Sequence, residues 1–164
     1  MSAKPRWQRL VLLPVLACVS LLVVMSTVQP ASAVTMARKH HRNHHILRAV
    51  NIAVHKVGDP YRYGASGPNA FDCSGLTMFA FDRAGLHLPR TAAAQYRSMR
   101  RIPKARMHRG DLMFFYDSSG IYHVAVFLGW HRGRRVLLHS PYPGRHVHRA
   151  SPWTSSWVAA TRRF

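Results

Sequence analysis

No glutamate occurs in the 164 residues, and all five acidic side chains are aspartates. Asp72, Asp82, Asp111 and Asp117 stand in cap or turn contexts, so no carboxylate pair is set out for the acid and base work of glycoside hydrolysis. Cysteine is almost as scarce. There are two, and Cys18 lies within the long apolar run LVLLPVLACVSLLVVMSTV. Cys73 is thereby left without an evident partner, which excludes a disulfide-stapled scaffold. Phosphate-binding loops, dinucleotide fingerprints and internal repeats are missing as well.

The apolar run, residues 10–28, follows Lys4, Arg6 and Arg9 and precedes QPASAV, where Ala31 and Ala33 supply the small residues of an A-x-A cleavage site. This is the layout of a signal peptide over residues 1–33, with a mature chain from near Val34. Two other readings stay open: retention as an N-terminal anchor, because the run approaches the ~20 residues that span a bilayer, and a weak lipoprotein box at VLAC. Cleavage places the protein outside the cell, at the wall or the periplasmic side of the envelope. Membrane contact is expected only if the segment is kept. About 130 residues then remain, enough for one domain with one core, expected to be monomeric.

The formal net charge is +19, and losing the three basic residues ahead of the run leaves +16. Such a surface favours polyanions. For an exported chain the expected polyanion is an anionic cell-wall polymer, not nucleic acid; the plainer reading is solvated arginine serving solubility. Residues 34–44 form a basic, His-rich leader expected to be mobile. It holds no cysteine or carboxylate to complete a metal site, and no metal is expected there.

Residues 45–164 read as the folded domain. Ile46, Val50, Ala53 and Val57 follow helical spacing until Gly58 and Pro60 stop it. The Gly- and Pro-containing stretch DPYRYGASGPNAFD then leads to a helix starting at Cys73, with Asp72 as its N-cap, Leu76, Phe79 and Ala80 on one face, and Gly85 as its stop. A short helix is expected within Thr91–Arg100. DLMFFY, YHVAVFLG, RVLLHS and SWVAATRRF are short, β-branched and aromatic, and separated by turn residues, so they read as strands. Helices followed by a strand meander make the fold class α+β.

Cys73 in a first helical turn is a candidate nucleophile, because free N–H groups and the helix dipole favour a thiolate there and can hold an oxyanion. Gly75 is expected to let a substrate approach. A nucleophilic cysteine needs a base. His40, His41, His44 and His45 lie in the leader, His131 in a turn, and His146 and His148 in the basic PGRHVHRA loop. His123 and His139 sit on two strands joined by GWHRGR. With the turn centred near 131, antiparallel pairing places the two opposite each other on one sheet face. Against the Cys73 helix they supply a base and a group to orient it. A pair of half-buried strand histidines and a Cys-His-His zinc site are the competing readings.

The blocks PYRYGASGPNAFDCSGL, LPRTAAAQ, RGDLMFF, HVAVFLG and VLLHSP come in the order found in NlpC/P60 cysteine peptidases, and the chain from about Ile46 onward resembles that family. The resemblance implies a papain-like α+β domain whose Cys helix packs on an antiparallel sheet carrying the histidines. It implies Cys73 as nucleophile, His123 as base and His139 as the orienting residue. Tyr61 matches an aromatic position beside the catalytic cysteine, while Asp72 and Ser74 match positions that contact substrate. The implied reaction is hydrolysis of peptidoglycan stem peptides, commonly between γ-D-glutamate and diaminopimelate or lysine, with no cofactor. Arg62 departs from the family's usual apolar or aromatic residue. A non-catalytic cationic wall-binding protein and a related amidase are the alternatives.

Overall fold

The computed structural model describes residues 31–162. Most of the expected signal peptide therefore lies outside the described residues. The chain divides into two units, residues 1–37 and 38–164, and the packing described below belongs to the second. Among the described residues no helix is long and apolar enough to cross a membrane.

Helix α1 runs Ala31–Val54. This corrects the expected mobile leader: residues 34–44 are helical and continuous with the first domain helix. Ile46, Ala49, Val50 and Ala53 are its buried face. Val57, expected to continue that face, lies beyond the helix end and is exposed.

Helix α2 spans Cys73–Arg83, opened by Asp72 and closed at Ala84, with Gly85 following. Helix α3 is Ala92–Arg97, capped by the Thr91 hydroxyl, which accepts from the N–H of Ala94. Six strands follow: β1 Arg100–Ile102, β2 Leu112–Asp117, β3 Gly120–His131, β4 Arg134–His139, β5 His148–Ala150 and β6 Trp157–Thr161. They form one antiparallel sheet in the order β1-β6-β2-β3-β4-β5. The α+β expectation holds. The outer strands β1 and β5, RRI and HRA, have no apolar alternation and escaped sequence reading.

Period-2 alternation divides the buried strand residues between two cores. Leu112, Phe114, Val124, Val126, Leu138 and Ala160 pack in one core with the helices, including Ala53, Leu76 and Phe81. Met113, Phe115, Ala125, Phe127, Leu137, Trp157 and Ala159 form the other. At ~25 cal/mol per Å² of apolar surface removed from water, such two-sided burial makes β2 and β3 the most costly strands to disturb. Both histidines of interest share the parity of the second core.

Candidate active site

The turn carrying Cys73 is built on one carboxylate. Asp72 Oδ1 accepts from the N–H of Gly75 at 2.7 Å and from the Ser74 hydroxyl at 3.3 Å. Its Oδ2 accepts from the N–H of Gly64 at 3.0 Å. Arg90 closes the network, donating to both carboxylate oxygens and to Ser74 Oγ. A buried carboxylate needs such a partner, since an unpaired one costs several kcal/mol, roughly 3–5. Gln95, fully buried, donates to the carbonyls of Ser74 and Pro89, both at 2.9 Å, and accepts from the Thr77 hydroxyl at 2.7 Å. The LPRTAAAQ block thus braces the nucleophile turn through Arg90 and Gln95.

Gly75 differs from its expected role. A Cβ there would lie 2.1 Å from the carbonyl oxygen of Ala65, so the backbone that approaches it belongs to the protein's own loop, not to a substrate.

The histidines meet, but by a different register from the one expected. The hairpin turn is Arg132-Gly133, with φ of 49° and 74°, between the paired residues His131 and Arg134. Two successive positive φ angles are the signature of the tight two-residue turn that suits strand twist. A bulge between Phe127 and Gly129 then shifts the pairing so that Val126 faces Leu138. Continued one step, that register sets His139 opposite Ala125, two residues from His123. An offset of two keeps both rings on one face as diagonal neighbours. His123 Nε2 and His139 Nδ1 are 3.0 Å apart.

Ser140, next to His139, donates its hydroxyl to the Phe71 carbonyl at 2.7 Å. This ties the end of β4 to the residue two before the thiol. Cys73, His123 and His139 line one cavity of about 500 Å³ together with Tyr61, Tyr122, Arg145, His148 and Trp153, a volume in the range of small-molecule sites.

Trp153 and His148 are among the cavity residues that were not singled out in the sequence. Trp153 stacks on Phe115, with centroids 4.1 Å apart and planes at 11°, and on His139 at 5.3 Å, and meets the His123 ring edgewise at 5.4 Å. His148, set aside as a loop residue, is on β5 directly paired with His139, with rings 4.8 Å apart. Its strand has no hydrophobic alternation, so only the pairing reveals it.

Burial governs the electrostatics. The His123 ring is pushed down to about 4 by desolvation, partly offset by the Asp72 charge. His139 is pushed down to about 3 by desolvation and then by His123 and His148. The Cys73 thiol is raised, chiefly by burial, against hydrogen bonds from the Val124 and Ser74 N–H groups. Desolvation therefore outweighs the helix-terminus effect expected to favour a thiolate. At neutral pH the site therefore holds a thiol beside two neutral imidazoles.

The tautomers follow from the hydrogen bonds. In the tautomer in which His123 Nε2–H donates to His139 Nδ1, the Nδ1 of His123 is the nitrogen left to accept a proton. His139 then carries its own proton on Nε2, which is buried without a hydrogen-bond partner among the described residues.

Tyr61 lines the cavity. Asp72 and Ser74 do not: both are buried and spend their polar atoms on the turn. The family departure Arg62 is exposed and lies outside the cavity lining. Among the described residues no group of three or more His, Cys, Asp or Glu is arranged to hold a metal ion.

Comparison with known proteins agrees with this architecture. The NlpC/P60 family profile matches residues 58–164. Probable endopeptidase p60 of Listeria monocytogenes serovar 1/2a is 48% identical over 73 residues, which cover 44% of this chain and 15% of that protein. The chain thus spans a small part of the length of that relative. The crystal structure of the NlpC/p60 domain of peptidoglycan hydrolase SagA matches with a TM-score of 0.63 and 30% identity, covering 71% of this chain and 97% of that one. RipD of Mycobacterium tuberculosis, a non-catalytic NlpC/p60 domain protein adapted to peptidoglycan binding, matches with a TM-score of 0.60 and 25% identity, covering 72% and 97%. With its papain-like α+β fold, a cysteine helix set against an antiparallel sheet, this chain belongs to the NlpC/P60 family.

Proposed function

We propose that this protein is an exported cysteine endopeptidase that hydrolyses peptidoglycan stem peptides between γ-D-glutamate and diaminopimelate or lysine. The observation that carries the reading is the convergence of one thiol and a hydrogen-bonded imidazole pair on one cavity. A purely structural pair of histidines would not need a free cysteine beside it.

In this mechanism His123 Nδ1 takes the Cys73 proton as the sulfur attacks the amide carbonyl. The oxyanion sits against the N–H groups of the first turn of α2. His123, now an imidazolium, is stabilised by the lone pair of His139 Nδ1 and gives its proton to the departing amine. That leaves a thioester. Water, deprotonated by His123, then attacks the thioester carbonyl, and sulfur leaves and recovers the proton. Tyr61 lines the acyl pocket, while Asp72 and Ser74 act by holding the turn. The basic groove formed by Arg48, His55, Lys56 and Arg83 supports retention on anionic wall polymers.

The test is mass spectrometry of peptidoglycan digested by the protein and by Cys73→Ala. Fragments ending in γ-D-glutamate, released by wild type alone, are the expected result. Loss of whole stems from the sugar would make it an amidase. Binding without cleavage by both proteins would place it with RipD-like wall binders.

A further inference from the structure

The loop between β4 and β5 forms one wall of the cavity and brings Tyr142 and Arg145 to it. Although exposed, this loop is held in place from beneath. The N–H of Tyr61 donates to the Arg145 carbonyl at 2.8 Å, and the N–H of Arg145 to the Tyr142 carbonyl at 3.2 Å. On the far side, Val147 is buried and exchanges backbone hydrogen bonds with the segment before Tyr61, accepting from Gly58 at 2.9 Å and donating to Asp59 at 2.8 Å. Arg145 is therefore fixed beside Tyr61, and both line the same cavity as Cys73.

Its guanidinium has one polar partner that is not a carboxylate. Nε donates to the Tyr142 hydroxyl at 3.2 Å, and the group lies over that ring at 5.8 Å. Among the described residues Arg145 makes no ion pair. The acid side chains are committed elsewhere: Asp59 to Lys56, Asp72 to Arg90, Asp82 to His87, Asp111 to the N–H of His108 and Asp117 to Ser119. None of them lines the cavity. With Nε directed to Tyr142, the two Nη groups remain as a planar fork that matches a carboxylate. A cavity lined by a guanidinium and by no carboxylate favours an anionic substrate group.

Resting on the hydrolase reading above, we propose that Arg145 is a specificity residue that binds a free carboxylate on the substrate peptide, so that the protein discriminates against peptides carrying the carboxamide instead. A γ-linked glutamyl substrate has such a group three carbons from the scissile carbonyl, its α-carboxylate, and diaminopimelate carries a second. The shared chemistry is a carboxylate within reach of the cleaved bond.

The experiment compares four synthetic stem peptides: both carboxylates free, each one amidated in turn, and both amidated. Each is assayed for kcat/KM with wild type, Arg145→Ala, Arg145→Lys and Arg145→Glu. The wild type is expected to favour the free peptide over the doubly amidated one by about tenfold, a modest factor because the guanidinium is exposed. In Arg145→Ala that ratio falls towards one, Arg145→Lys retains part of it, and Arg145→Glu inverts it. The singly amidated peptides tell which carboxylate is read. Calorimetric binding of the same peptides to Cys73→Ala separates the two proposals. A binding preference that Arg145→Ala removes, with no cleavage by wild type, would keep the subsite and reject the hydrolase. A ratio that is the same in wild type, Arg145→Ala and Arg145→Glu, or no preference in either assay, overturns the subsite.

Discussion

The two halves of the site are held by different forces. On the Cys73 side nearly every polar atom has a directional partner: Asp72 gathers Gly64, Ser74, Gly75 and Arg90, and Gln95 locks the carbonyl of Ser74. On the histidine side one hydrogen bond joins two rings, and the rest is aromatic contact with Phe115, His148 and Trp153. Hydrogen bonds fix position and are costly to leave unmade. Ring packing excludes water while leaving ring nitrogens free to gain and lose protons. Cys73 is thus placed by geometry and the histidine pair is tuned by burial.

That contrast predicts acid sensitivity on the histidine side. Both rings bind a proton less readily folded than unfolded, so the unfolded chain takes up protons first as pH falls. Stability present above the ordinary value of 6.5 is therefore lost as pH drops through 6.5 towards about 4 for His123 and about 3 for His139. The loss is about 1 kcal/mol per pH unit for each ring. Thermal melting followed from pH 7 to pH 4 should show it, and His139→Gln should flatten the slope. An unchanged slope would mean that the rings are not held neutral by the fold.

On the Cys73 side, losing the uncharged Gln95 should cost the same at every pH. Gln95→Ala leaves the Ser74 and Pro89 carbonyls and the Thr77 hydroxyl short of partners, and is expected to cost about 2–3 kcal/mol in denaturant unfolding. Arg90→Ala should cost about 2 kcal/mol, less than for a fully buried pair because the guanidinium reaches solvent. If either variant melts like wild type at every pH, the bracing role of the LPRTAAAQ block is lost.

The smallest stability effect is expected at Trp153, which is half exposed. Trp153→Ala should cost about 1 kcal/mol through lost stacking on Phe115. Its clearer sign is in the pH profile. His123 must be neutral to accept the thiol proton, so the acid limb of kcat/KM should lie near pH 4 in wild type. Opening the ring pair to water should move that limb upward towards 6.5. A limb that stays in place would assign the depressed basicity to other neighbours.

Much of this was legible in the sequence because its causes are local. The N-cap at Asp72, the helix starting at Cys73, the stop at Gly85 and the four longer strands follow from capping chemistry and from periods of 3.6 and 2. What escaped depends on pairing. β1 and β5 have no pattern of their own and become strands only beside β6 and β4. His148 could not be ranked above the other loop histidines without β5. The leader's helix shows the opposite failure, a polar segment read as mobile that continues the helical backbone of α1.

The sequence by itself determined the fold class, Cys73 as the candidate thiol and that His123 and His139 share a face, because side-chain parity survives any register shift of two. Tertiary structure decided the rest. The Phe127–Gly129 bulge and the Arg132-Gly133 turn set the actual register. The approach of Ala65 explains Gly75, and Arg90 and Gln95 reach the first turn of α2 across the fold. Whether Cys73 rests as thiol or thiolate was also decided there, since a helix start favours the charge while burial opposes it, and only packing fixes which is larger.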